Sequence, residues 1–203
     1  MAVSIHWTGV ARATVEGLRA AQQTEASVQC QWSFEGADLI TALKSAAAAP
    51  HYDLTAHGDG LALVPGRDTG SQALKLPGGS AYADTQFGQA APTSGTLELI
   101  VTPASATTQH GTIMKTHWLP GPDQNLFGLV QHEQTIAAVI GKKDAWQPMI
   151  GGASAVPFKA DDTYYLVLTY SYSAGDGPGG ADDAVFEIDG YVKNLTAGGE
   201  LVH

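Results

Sequence analysis

The sequence predicts an all-β fold, an antiparallel sandwich, and three observations carry that prediction. Thr96–Pro103, Leu126–Val130, Tyr164–Tyr170 and Ala184–Gly190 are short runs rich in β-branched and aromatic residues that lie between clusters of Gly, Pro, Asp and Ser. Runs of this length are too short for typical helices. The chain carries 24 Gly and 10 Pro with only 15% charged residues, a composition suited to many strands joined by tight turns. Finally, Val28, Cys30, Trp32 and Phe34 alternate with Gln29, Gln31 and Ser33, which is the two-residue period of a half-buried strand.

Along the chain, Val3–Trp7 alternates like a strand, and Val10–Gln23 has the Ala, Leu, Arg, Glu and Gln content of a helix, weakened by Gly17. Residues 1–29 are therefore expected to form a strand and a short helical or irregular arm, and residues 30–203 the main domain. A strand is expected over 28–34, with Cys30 buried in it. Ala37–Ala49 reads as a helical segment whose apolar stripe is broken by Thr41, Lys44 and Ser45, hence a surface insertion stopped by Pro50. Tyr52–Thr55, Leu61–Val64 and Ala73–Leu76 are short strands separated by His57-Gly-Asp-Gly60 and Pro65-Gly-Arg-Asp-Thr-Gly70. Later strands are expected near 96–102, 126–130, 164–171 and 184–189. In the 164–171 strand, Leu166, Leu168 and Tyr170 form the more apolar alternate set and are expected to face the core.

At 203 residues the chain is long enough to bury a core without disulfide staples. Twenty acidic against ten basic residues give a net charge of −10, so the average surface repels polyphosphate and nucleic acid is an unexpected partner. A single cysteine, Cys30, excludes an intrachain disulfide and any cysteine-based zinc cluster. No apolar run reaches the ~18 residues of a bilayer span, so no membrane span is expected. The start, Met-Ala-Val-Ser-Ile-His-Trp, lacks the basic and apolar segments of a secretory signal.

An ordered series of features over roughly residues 30–195 carries a family resemblance. Trp32-Ser-Phe34 is followed by Tyr52–Thr55, Gly66–Gly70, Ala73–Gly79, Gly95–Pro103 and Gly111–Lys115. Thr163–Tyr170 and Val185–Gly190 then look like a hairpin ending in an Asp-Gly turn. In this order the segments resemble the laminin-G-like branch of the concanavalin A-like lectin and glucanase jelly rolls. The resemblance implies a jelly-roll domain, recognition of a glycan or a protein surface, and an extracellular or cell-surface location. One departure stands out: such domains close with further strands after the Asp-Gly hairpin, whereas this sequence ends at His203.

The glucanase branch of that superfamily uses two carboxylates across the scissile bond, in a Glu-x-Asp-x-(x)-Glu pattern. Glu187-Ile-Asp189 matches its first half, but Tyr191 and Val192 stand where the last Glu belongs, so no catalysis is expected. The plainer expectation places Glu187 and Asp189 on one side of an edge strand. Gly175–Asp183 gathers Asp176, Asp182 and Asp183, hard oxygen ligands suited to Ca²⁺, in a stretch that equally reads as a solvated hairpin loop. Asp84, Asp123 and Asn125 are further candidates for the same ion. Trp118 and Trp146 lie in Pro-rich and polar surroundings, and either stack a sugar ring or plug the core. Asp123 and Asn125 beside Trp118 complete the candidate ligand-binding set. Seven scattered histidines show no transition-metal spacing, no Gly-x-Ser-x-Gly elbow appears, and Asn194-Leu-Thr196 matches the short N-glycosylation pattern.

These readings converge on a non-catalytic recognition module that binds through rim loops, with Ca²⁺ as an optional ligand. A structural protein that assembles through edge strands and the N-terminal arm, as a homo-oligomer, is the second expectation. A diverged glycoside hydrolase is the third.

Overall fold

A computed structural model describes residues 28, 30–47, 52–85, 94–104, 110–117, 126–132, 135–142, 145–148, 157–173 and 185–202. The described residues are mostly strands, and every strand pair is antiparallel. The chain is all-β, as the glycine-rich, short-run sequence predicts. It divides into two compact units, Met1–Phe87 and Gly88–His203.

Among the described residues of the N-terminal unit, one helical turn, α1 (Leu39–Ala42), precedes four short strands: β1 (Thr55–His57), β2 (Ala62–Pro65), β3 (Gln72–Lys75) and β4 (Tyr82–Asp84). Asp38 caps α1, its carboxylate accepting from Thr41 N at 2.8 Å, which satisfies an otherwise orphaned helical donor and lowers the Asp38 pKa. The strands form one interrupted ribbon. β1 pairs with β4 from Thr55↔Asp84 to His57↔Tyr82, and β2 with β3 from Ala62↔Lys75 to Pro65↔Gln72. Between the two pairs, the 76–81 segment carries two more residues than the 58–61 segment opposite it. That excess is taken up by a turn in which Ala81 N donates to Gly78 O at 3.3 Å, with Gly78 at φ 87 and Gly79 at φ 66. At the ribbon tip Gly66 N donates to Ser71 O at 2.8 Å, and Ser71 Oγ donates to Asp68 O at 2.7 Å.

Two expectations are corrected in this unit. Residues 30–35 join no strand, although they alternate, because their polar groups are taken by nearby loops rather than by a ladder. Gln31 O accepts from Ala46 N at 2.7 Å, Gln31 N donates to Ser45 Oγ at 3.3 Å, and the Trp32 indole donates to Tyr52 O at 2.8 Å. Phe34, at φ 59, turns the chain out of extended geometry. Cys30 is accordingly half-buried and off any strand. Nor are residues 37–47, the described part of the 37–49 stretch, a surface insertion: the helix spans Leu39–Ala42, while Ala42, Leu43, Ser45 and Ala47 are buried. Ser45 N donates to Asp53 Oδ1 at 2.9 Å, and Leu54 N to Leu43 O at 2.8 Å, tying this core to the ribbon. The expected arm over residues 1–27 lies outside the described residues.

The described residues of the C-terminal unit form two sheets. β6 (His110–His117), β7 (Leu126–His132), β8 (Thr135–Lys142) and β9 (Ala145–Pro148) form a meander in that order, with a register shift between Thr112 and Met114. The other sheet has the order β11-β10-β5, from β5 (Ser94–Val101), β10 (Tyr164–Ser173) and β11 (Val185–Asn194). β10 alternates as expected: Tyr164, Leu166, Leu168 and Tyr170 are buried, and Val192 of β11 lies on the same side. Burying a Leu side chain removes its whole apolar surface from water, worth roughly 2 kcal/mol each. Tyr164 adds an anchored hydroxyl, donating to Pro157 O and accepting from Lys159 N, both at 2.8 Å, while its ring leans on Phe158 at 4.7 Å. Opposite Tyr170 sits Gly95, where a Cβ would lie 2.8 Å from the phenol oxygen, so a larger residue there would require the ring to shift.

The Asp189-Gly190 turn is a further correction. Both residues lie inside β11, opposite Thr169 and Leu168, and the ladder runs on to Tyr164↔Asn194. The turn comes after Asn194, whose Oδ1 accepts from Ala197 N at 2.8 Å, with Gly198 at φ 70. Val202 then exchanges two 2.9 Å hydrogen bonds with Val192, covering part of the outer edge of β11.

Candidate binding face

On one side of the β11-β10-β5 sheet Tyr164, Leu166, Leu168, Tyr170 and Val192 are buried and their β5 partners half-buried, and the alternate residues form the opposite side. Register places them in four rows of three: Ile100, Tyr165 and Lys193; Glu98, Val167 and Tyr191; Thr96, Thr169 and Asp189; Ser94, Ser171 and Glu187. Glu98, Thr96, Ser94, Glu187 and Asp189 are exposed, and the other seven are half-buried. The face thus grades from aromatic and aliphatic groups at one end to hydroxyls and carboxylates at the other. Three rows of spacing span ~20 Å along the strands, and two strand gaps ~10 Å across them.

Local bonds fix the polar groups. Ser171 Oγ donates to Glu187 Oε2 at 3.0 Å across β10 and β11. Tyr165 is raised well above the ordinary phenol pKa, first by burial, then by the Glu98 charge and its hydrogen bond to Glu98. It stays a neutral donor throughout the physiological range. Carboxylates, hydroxyls and phenols on one rigid surface are acceptors and donors suited to hydroxyl-rich or amide-rich ligands. Glu98 and Asp189 stand two strands and one row apart, putting their Cα atoms about 12 Å from each other. Glu187 and Asp189 share one face of the strand, as expected, and both point away from the core side.

Of the residues singled out in the sequence, Asp84 is described fully. It ends β4, exposed, and its Oδ1 lies 3.0 Å from His57 Nε2, while the His57 ring stacks on Tyr82 at 4.6 Å. Trp146 is placed on β9, opposite Gly141. Trp118, Asp123, Asn125, Asp176, Asp182 and Asp183, the expected calcium loop and rim residues, lie outside the described residues. Among the described residues, no group of three or more His, Cys, Asp or Glu is arranged to hold a metal ion.

The glycosylation motif is occupied within the fold. Asn194 Nδ2 donates to Asp162 Oδ2 at 2.8 Å, and Thr196 Oγ1 accepts from Thr163 N at 2.8 Å. Sequence reasoning missed Glu98, Tyr165 and Tyr191 as candidates. The polar character of the Tyr165, Val167 and Thr169 set was the available signal, but only the register shows which residues of β5 and β11 stand beside it.

No family model, no curated protein and no solved structure matches this chain. Among the described residues, no helix is long and apolar enough to cross a membrane.

Proposed function

We propose that the protein is a non-catalytic recognition module that binds a glycan or a protein surface, with the accessible face of β11-β10-β5 as its contact surface. The observation that carries this reading is the face itself: two tyrosines, three carboxylates and four hydroxyls held in register on a sheet anchored by its buried side. Rigid tyrosines give large contact area at low entropic cost, and preset hydrogen-bonding groups lower the cost of ordering on binding. This moves the proposed contact from rim loops to a sheet face. Trp118, Asp123 and Asn125 remain the proposed rim contribution, and Trp146, expected in a loop, would contribute from edge strand β9 instead.

The proposal includes the closed architecture. We infer that the two sheets of the C-terminal unit pack as a sandwich of the concanavalin A-like, laminin-G-like kind, because each has a buried side: Tyr164, Leu166, Leu168 and Tyr170 on β10, and Leu129 and Gln131 on β7. An extracellular or cell-surface location follows from that resemblance alone. Catalysis is not part of the proposal, since Glu187 and Asp189 sit on one strand and Glu187 is engaged by Ser171.

Glycan-array binding together with light scattering tests this reading. A recognition module binds at least one array component as a defined species. A discrete homo-oligomer that binds nothing on the array favours the assembly reading instead. Turnover of β-glucans that is abolished by Glu187→Gln would establish the diverged hydrolase.

A further inference from the structure

We draw no further inference here: the strongest candidate outside the proposed face, the exposed His57–Asp84 pair with its ring stacked on Tyr82 where β1 meets β4, offers one imidazole and one carboxylate with no metal-holding group of three among the described residues, and nothing in the structure shows what it would bind.

Discussion

At the scale of single residues, burial sets the behaviour of the lone thiol. Desolvation pushes the Cys30 thiol up from its ordinary 9.0 to about 11, so at neutral pH almost none of it is thiolate. Native protein should therefore react slowly with iodoacetamide at pH 8, and unfolding in urea should accelerate the labelling. The same shift has a sign for stability. Between pH 9.0 and 11 the folded thiol holds a proton that the unfolded chain has released, so stability falls as pH rises through that window. Cys30→Ala should remove that part of the alkaline loss, measured by urea melts at pH 8 and pH 10.5. The raised Tyr165 acts in the same direction at higher pH. Asp84 offers a second residue-scale test, because its carboxylate already faces His57. Thermal melts in millimolar calcium and in chelator are expected to coincide, whereas a shift removed by Asp182→Asn or Asp183→Asn would establish a calcium site in the acidic loop. A native-state site at tenfold excess over its Kd would contribute about 1.4 kcal/mol, well within reach of such melts.

At the scale of elements, β10 is central in its sheet, and its side chains alternate between buried and half-buried. Leu168→Ala is expected to cost about 2–5 kcal/mol, since a buried Leu loses its transfer energy and leaves a cavity. Thr169→Ala, one position away on the accessible face, should stay within about 0.5 kcal/mol. Urea titration of both variants checks the pair, and equal losses would contradict the assigned faces. This strand was legible in the sequence, where alternation runs unbroken from Tyr164 to Tyr170. β11 was legible as a strand but not in extent. The Asp189-Gly190 pair looks like a turn locally, yet the ladder to β10 continues past it, a case of strand pairing overriding turn propensity. Residues 30–35 show the reverse. Their alternation is strand-like, but Ser45 and the 46 and 52 backbone supply the partners a neighbouring strand would have given. The candidate face was legible only in part, because Glu98, Tyr165 and Asp189 lie far apart in sequence and meet through register alone.

At the scale of the whole molecule, a net charge of −10 on 203 residues favours solubility and disfavors polyanionic partners. On the proposed face, Glu98, Asp189 and Glu187 against Lys193 keep the same sign, so neutral oligosaccharides or neutral-to-basic protein surfaces are the expected ligands. The buried side of the same sheet supplies stability, which makes the two roles separable by mutation. The measurement that tests this division most directly is a binding isotherm for the strongest glycan-array component, taken with wild type and with Tyr191→Ala, beside thermal melts of both. Loss of binding by tenfold or more at nearly unchanged melting temperature is the predicted result. Unchanged affinity in Tyr191→Ala would contradict the assignment of the ligand to this face.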